Sequence, residues 1–399
     1  MLVDGESLDA APAADDLLED SGPTPAAERE NGEICWNHGL ALHSIEFRCE
    51  PKREHHGLAD QLAANVRLAN DTLGREGLRL MPAGMHPWLD PVDAKLWPHG
   101  TARAVYETLD AIFSCKSQAW ANQQSLTIEL PFAGDEQFAR LHAAVRFLVP
   151  ILPGLAASSP VVGGDRNGLS DNRLVAYRGK CARIPSLIGA VVPEPVGSTG
   201  EYHERVLGPI YRDLEPHDPE GVLRHEWVNA RAAVARFDRM VVEIRALDVQ
   251  EAPAMDVAFT ALIVEVLKLL CSEQWLDTEG MNRRRTEELG RLFELAARQG
   301  EGLGVADRPY LHAFGFGGSA TELKALWEHL IETVSARGSL SLDHGRHLEH
   351  YLRHGTLATR IGKALGLLPT RAKLMRVYEE LCEALAGGAP FAPPPPTSR

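Results

Sequence analysis

A change in hydrophobic periodicity near residue 253 divides this 399-residue chain into two parts and limits the folds it can adopt. Before that point, segments in which apolar and polar residues alternate predict β-strands, and longer segments with apolar residues every three to four positions predict helices between them. Four strands are predicted, at 40–49, 77–81, 125–130 and 240–247. After residue 253 only helical patterns remain, at 257–270, 284–297, 320–336 and 373–386. The order of elements indicates an α+β fold, with helices on one face of the sheet.

The two ends of the chain differ in composition from the rest. Residues 1–33 are acidic and rich in alanine and proline, which predicts a mobile lead-in. The sheet domain is expected over 34–252, and the helical segment 253–388 is expected to pack on it or to form a dimer contact. Residues 389–399 contain a run of four prolines, which predicts a disordered tail.

Charge and cysteine content exclude several classes of protein. The 41 basic and 55 acidic residues give a net charge of −14, which argues against a nucleic-acid partner. The longest uncharged stretch, 147–164, contains three prolines, so no membrane span is predicted. Six scattered cysteines without a CxxC pair indicate reduced thiols, and the acidic start of the chain does not resemble a leader. We therefore expect a cytoplasmic protein.

Three predicted strands each carry a carboxylate within an apolar run: Glu46, Glu129 and Glu243. An ionised carboxylate is costly to bury without a partner. Several carboxylates together become tolerable around divalent cations such as Mg²⁺, which prefers hard oxygen ligands, or opposite arginines. The alternative is that these acids lie on the solvent face of an antiparallel sheet, where alternation places polar residues anyway. Spacing alone leaves both interpretations open.

Arginines form the other half of the candidate site, because guanidinium groups suit carboxylate and phosphate oxygens. The candidates are Arg166 in a glycine-containing loop, Arg173, Arg236 and Arg245. Tyr177 follows Arg173 closely, and His86 precedes a proline in another glycine-containing loop. Because strand side chains alternate, Glu243 and Arg245 are expected on one face of their strand. Asp248 would lie on the opposite face if the strand stayed regular.

The chain contains no Walker A loop, no GxGxxG motif and no GxSxG motif, so any nucleotide site must be built otherwise. A series of short motifs nevertheless occurs in a fixed order over the first 250 residues. The motifs are Leu2-Val-Asp4, the Glu46 strand, Pro82-Ala-Gly-Met-His-Pro-Trp88, Leu155-Ala-Ala-Ser-Ser-Pro160, Asp165-Arg-Asn-Gly168, Tyr177-Arg178, Arg236-Phe-Asp238 and Glu243-Ile-Arg245. In this series the chain resembles the second family of glutamate–cysteine ligases, the carboxylate–amine ligases.

The resemblance implies a curved antiparallel sheet that forms an active-site funnel, related to the catalytic fold of glutamine synthetase. ATP, Mg²⁺ and amino-acid substrates would bind there, and the enzyme would form an amide bond of the γ-glutamyl type through an acyl phosphate. Glu46, Glu129 and Glu243 would hold metal, and Arg166 and Arg245 would meet phosphate oxygens. Arg236 would dock a substrate carboxylate, with Arg173, Tyr177 and His86 also contacting substrate.

Two departures from the family pattern keep a second interpretation open. Relatives usually begin with a Gly-x-Glu-x-Glu strand, and Met1 to Asp4 resembles the segment immediately after that strand. Relatives also commonly carry a histidine and then a neutral amide residue where this chain has Thr127 and Glu129. The alternative is therefore a ligase-like protein that binds nucleotide or amino acid without joining the two substrates.

Overall fold

The computed structural model describes residues 1–18, 28–51 and 57–393. The strands are β1 (Leu2–Asp4), β2 (Glu28–Asn31), β3 (Ile34–His38), β4 (Ile45–Cys49), β5 (Leu78–Leu80), β6 (Ser125–Pro131), β7 (Ala233–Arg236), β8 (Val241–Asp248), β9 (Gly304–Val305) and β10 (Thr321–Glu322). The helices of the first part are α1 (Ala14–Leu18), α2 (Leu58–Leu73), α3 (Ala102–Phe113), α4 (Gly134–Leu148), α5 (Pro153–Ala156), α6 (Asn172–Tyr177), α7 (Thr199–Tyr202) and α8 (Gly208–Leu214). Those of the second part are α9 (Pro253–Cys271), α10 (Thr278–Asn282), α11 (Thr286–Gln299), α12 (Arg308–His312), α13 (Leu323–Ser335), α14 (Leu342–His354), α15 (Leu357–Leu365) and α16 (Arg371–Gly387).

Hydrogen bonding in the described ranges divides the strands into four small antiparallel sheets. They have the orders β1-β5, β2-β3-β4, β6-β8-β7 and β10-β9. The mixed α+β class predicted from the sequence is confirmed. Among the strands in the described ranges, each group pairs only within itself, so they do not form one hydrogen-bonded curved sheet.

The sheet β6-β8-β7 has one apolar face and one polar face. Ile128, Val242 and Ile244 are buried on the apolar side, where α4 and α5 contact β8. Thr127 and Glu129 are exposed on the other side of β6. The alternation of the sequence therefore separates core residues from residues that can form a site.

The helical part packs into the same core as this sheet. Helix α9 contacts α2, α4, α13 and α14, and most of its apolar side chains are buried. A fully buried ion pair between Glu251 and Arg360 joins the end of the sheet region to α15. The prediction that this part is all-helical is wrong at one point, because the two-residue strands β9 and β10 pair there. Segments this short carry no periodicity that could have revealed them.

The described parts of both chain ends are packed, in contrast to the mobile ends predicted from composition. Leu2 pairs with Leu80 between β1 and β5, and Leu2 and Val3 are fully buried. Phe391 is buried, and its carbonyl oxygen accepts a hydrogen bond of 2.7 Å from Arg360 Nη1. The remaining parts of the two predicted mobile ends, residues 19–27 and 394–399, lie outside the described residues.

Across the described ranges, every helix is too short or too polar to cross a lipid bilayer.

Candidate functional site

An extra residue in β8 decides which side chains reach the polar face of the central sheet. Glu243 lies opposite Glu129, and Asp248 lies opposite Ser125, but the register shifts between Leu126 and Ile128. The three-residue step from Ile244 to Leu247 is matched by only two residues on β6, as in a β-bulge. The expectation that Asp248 faces away from Glu243 is therefore wrong. The bulge returns Asp248 to the same face.

Glu243 is the centre of an arginine cluster on this face. Its carboxylate accepts hydrogen bonds from Arg236 Nη1 and Arg239 Nη2, each at 3.1 Å, and from Arg245 Nε. Burial alone would raise the pKa of Glu243, but the guanidinium groups, Arg245 above all, more than offset it and lower the pKa. The prediction that Glu243 and Arg245 share a face is confirmed by this contact. Glu243 is thus ionised and held by three cations.

The neighbouring acid Glu129 extends the cluster across the sheet. Its carboxylate lies 2.5 Å from Arg239 Nη1, and both side chains are about one-third exposed. Arg236 also donates to both carboxylate oxygens of Asp238, at 3.2 and 2.9 Å. The arginines are therefore fixed in place by acids, with Arg239 and Arg245 more exposed than Arg236.

Glu46 reaches the same region from a different sheet. It lies on β4 opposite Asn37, and the residue as a whole is exposed although many protein atoms surround its carboxyl group. Burial and the negative charge of Glu243 raise the pKa of Glu46 to about 7, against the lowering effect of Arg48 and Arg245. Glu46 also raises the pKa of the neighbouring phenol Tyr106, after burial. A carboxylate in this setting is stabilised by an added cation.

We expect the change Glu46→Gln to stabilise the protein without ligand at pH 8 by up to about 1 kcal/mol, a small value because water screens the group. A raised folded pKa means that the stability contributed by Glu46 is present below pH 4.5 and is lost as the pH rises through 7. The gain should therefore be much smaller at pH 4.5 and vanish below it. Urea unfolding of both proteins at the two pH values measures it, and an equal effect at both would contradict the shift.

Next to Arg245, aromatic residues and a lysine complete the site. Tyr177, at the end of α6, lies near Arg245, and each of the two side chains affects the pKa of the other. Lys180 Nζ lies 3.9 Å from the ring centroid of Trp120 and 5.0 Å from that of Tyr177. Tyr177 is among the residues predicted from the sequence, whereas Lys180 and Trp120 are not. They are 60 residues apart, and no motif joins them.

Arg173 and Asp248 form a buried ion pair on this face of the sheet. Asp248 is fully buried and accepts from Arg173 Nε, from the Ser158 amide at 2.8 Å and from Ser159 Oγ at 2.8 Å. Gly84 packs so closely on Asp248 that a Cβ there would clash with the carboxylate. The structure therefore places Arg173 in a structural network that braces β8 and two loops, and not where it could bind substrate.

Two other predicted site residues are also placed elsewhere. Arg166 Nη1 donates to the carbonyl oxygens of Gly362, at 3.1 Å, and Gly366, so it caps the end of α15 and does not join Arg245. His86 is fully buried, with Nε2 2.8 Å from the Leu8 carbonyl oxygen and Nδ1 accepting from the Trp88 amide. Burial lowers the pKa of His86 to about 4, so the ring is neutral and structural.

The carboxylates of this region can be compared with the ligands that a divalent cation requires. Within the described residues, no group of three or more His, Cys, Asp or Glu side chains is arranged to hold a metal ion. Glu129 and Glu243 have arginines on their oxygens, whereas Glu46 forms no ion pair among the described residues. Mg²⁺ is often bound through one or two carboxylates together with substrate phosphates and water. Glu46 fits that mode of binding, and Glu129 and Glu243 as arranged do not.

Comparison with known proteins gives the context of this site. A protein of Archaeoglobus fulgidus, named only "Uncharacterized protein", is 31% identical over 77% of this chain and 85% of its own length. "Putative glutamate--cysteine ligase 2-1" of Nocardioides sp. is 27% identical over 86% of this chain and 84% of its own. "Putative glutamate--cysteine ligase 2-2" of Rubrobacter xylanophilus is 26% identical over 68% of this chain and 63% of its own length. The family model of glutamate–cysteine ligase family 2 matches residues 2–303, which is most of the chain. The chain therefore belongs to glutamate–cysteine ligase family 2.

Proposed function

We propose that this protein is an ATP-dependent carboxylate–amine ligase that forms an amide bond of the γ-glutamyl type. The observation that carries the proposal is the convergence of Glu46, Glu243 and the arginines at 236, 239 and 245 on one partly open region. Membership of the ligase family and the names of two relatives support a ligase-type enzyme.

The proposed reaction has two steps. A substrate carboxylate oxygen attacks the γ-phosphorus of ATP, and ADP leaves to give an acyl phosphate. The nitrogen of an amine then attacks the acyl carbon, phosphate leaves, and the amine loses a proton. Negative charge develops on phosphoryl oxygens in the first step and on the leaving phosphate in the second. A site for this reaction needs fixed cations more than it needs a nucleophile.

The arginine cluster supplies those cations. Arg239 and Arg245 are the more exposed of the three guanidinium groups and are assigned to phosphoryl oxygens. Arg236 is assigned to a substrate carboxylate and is held by Asp238 and Glu243. Because Glu243 fixes all three, the cations need no rearrangement as charge develops. Glu46 is the residue that would hold Mg²⁺, which when bound would neutralise phosphate charge.

The test is ADP release in a coupled assay with ATP, Mg²⁺ and pairs of amino acids, beginning with glutamate and cysteine. We expect turnover with at least one pair, and we expect Arg245→Met to lower kcat/KM by roughly 100-fold or more. Arg103→Met is the matched control, because Arg103 is an exposed arginine on α3 whose partner is Glu107 one turn away. Absence of ADP with every pair would overturn the proposal.

One observation favours a second candidate, a protein that binds the substrates without joining them. Thr127 is exposed next to Glu129 on the site face, at the position where the family resemblance leads us to expect an imidazole. A threonine hydroxyl does not titrate near neutral pH and is a weaker metal ligand than histidine. Calorimetry distinguishes the two functions, since Mg²⁺-dependent ATP binding without ADP formation supports the second.

A further inference from the structure

Lys180 is held at the edge of the site by aromatic rings. Its ammonium lies over Trp120 at 3.9 Å and near Tyr177 at 5.0 Å, distances at which a cation is attracted to a ring face. Phe113 stacks on Trp120 with ring centroids 5.6 Å apart, and the Trp120 indole N–H donates to the Lys180 carbonyl oxygen at 3.1 Å. Both the ring and the lysine backbone are therefore fixed.

The surroundings of Lys180 are positive. The largest charge effects on its ammonium come from Cys181, Arg245, Cys115 and Arg173, none of them a carboxylate. Burial raises the pKa of Cys115 to about 12 and that of Cys181 to about 11, so both thiols are neutral near pH 7. Burial, together with the two arginines, lowers the pKa of Lys180 to about 8. Within the described residues, Lys180 thus forms no ion pair with an acid.

Tyr177 connects this lysine to the arginine cluster. Tyr177 lies near enough to Arg245 to affect the pKa of its guanidinium group, and the Tyr177 ring centroid is 5.0 Å from the Lys180 ammonium. Two cations therefore lie near one phenol, and within the described residues only Arg245 of the two is paired with an acid, Glu243. Two neighbouring cations that share a single acid attract a further anion.

We propose that Lys180, Arg245 and Tyr177 form a subsite for the carboxylate of an amino-acid substrate. This inference rests on the proposed ligase function and names the group that recognises one of its substrates. One ammonium, together with a guanidinium group whose charge Glu243 already partly balances, matches the single charge of a carboxylate. A triphosphate carries several charges, and its better match is the more exposed pair Arg239 and Arg245 together with a bound divalent cation.

The test measures the binding of L-glutamate and of ATP with Mg²⁺ separately, by calorimetry, at pH 7. We expect Lys180→Met to raise the Kd for L-glutamate by roughly 10- to 100-fold, the loss of a hydrogen bond between charged groups, and to leave the Kd for ATP within about twofold. Lys180→Arg should restore most of the glutamate affinity. Lys268→Met is the matched control, since Lys268 is an exposed lysine on α9 paired with Glu265 at 2.6 Å.

A pH series gives a second measurement that does not need the methionine variant to fold. The wild-type affinity for L-glutamate should fall by up to about tenfold between pH 7 and pH 9, because Lys180 loses its proton near pH 8. Lys180→Arg keeps its charge in this range and should lose less. Parallel pH curves for the two proteins would overturn the subsite.

Two further results would also overturn it: weaker ATP binding with unchanged glutamate binding in Lys180→Met, or no binding of L-glutamate by the wild type. Neither result decides the proposed function, which fails only if no amino-acid pair supports ADP release. Glutamate binding without ATP is measured independently of turnover, so failure of the subsite and failure of the ligase function can be told apart.

Discussion

Replacing Glu243 by glutamine should lower the free energy of unfolding of the ligand-free protein by about 2–3 kcal/mol at pH 7. The amide keeps the shape of the side chain but removes the charge that three guanidinium groups share, and it turns one acceptor oxygen into a donor. Arg236, Arg239 and Arg245 would then repel one another without a counter-ion. If Glu243 were mainly a metal ligand, losing its charge would instead relieve repulsion and leave ligand-free stability level or higher.

The matched control is Glu129→Gln on the opposite strand. Within the described residues Glu129 pairs with Arg239 alone, and it is about one-third exposed, so this change should cost less than about 1 kcal/mol. Urea unfolding of the three proteins compares the two effects. An unfolding free energy that is unchanged or raised in Glu243→Gln, together with weaker binding of ATP and Mg²⁺, would restore the metal-ligand assignment.

The pH dependence of the Glu243→Gln effect has a definite sign. The folded pKa of Glu243 is lowered, so its contribution to stability is present above pH 4.5 and is lost as the pH falls through the folded pKa. The difference between wild type and variant should shrink on acidification below pH 4.5. Glu46→Gln shows the opposite dependence, because the pKa of Glu46 is raised to about 7. The contributions of these two acids to the free energy of unfolding thus change in opposite directions with pH.

Strand periodicity was sufficient to predict the centre of the site. Alternation along 240–247 placed Glu243 and Arg245 on one face, and they are in direct contact. The same reasoning places Asp248 on the wrong face. Alternation predicts the face of a side chain only where each residue of one strand pairs with one residue of the other. The extra residue opposite Thr127 has no sequence signature of its own. A bulge is fixed by pairing with another strand, which a single segment does not reveal.

Contacts with residues distant in the sequence explain the other differences between the predicted and the observed roles of site residues. Arg166 and Arg173 have the same chemistry in the sequence, yet Arg166 caps α15 about 200 residues later and Arg173 pairs with Asp248 in the core. His86 likewise depends on the Leu8 carbonyl oxygen. A side chain's role follows from the partner that the fold supplies. The same holds for Lys180, whose aromatic walls come from α6 and a distant loop.

Breaking the Asp248–Arg173 ion pair should destabilise the protein more than removing the charge of Glu243 from the arginine cluster. We expect Asp248→Asn to lower the free energy of unfolding by about 3–5 kcal/mol, because it removes the carboxylate that pairs directly with a buried guanidinium. It also weakens the hydrogen bonds that hold Ser158 and Ser159. Asp238→Asn is the matched control. Asp238 also pairs with an arginine but is about one-third exposed, and its loss should cost less than about 1 kcal/mol.

A double-mutant cycle separates the ion pair from the rest of this network. Arg173→Met alone should also be strongly destabilising, since it leaves the Asp248 carboxylate buried without its cation. Once the guanidinium is gone, however, the charge of Asp248 has lost its main partner, so adding Asp248→Asn should cost far less than it does in the wild type. The double variant should therefore be more stable than the sum of the two single effects implies, by about 2 kcal/mol or more. Additive losses, or a loss below about 1 kcal/mol for Asp248→Asn alone, would mean that the serine contacts, and not Arg173, hold Asp248 in place.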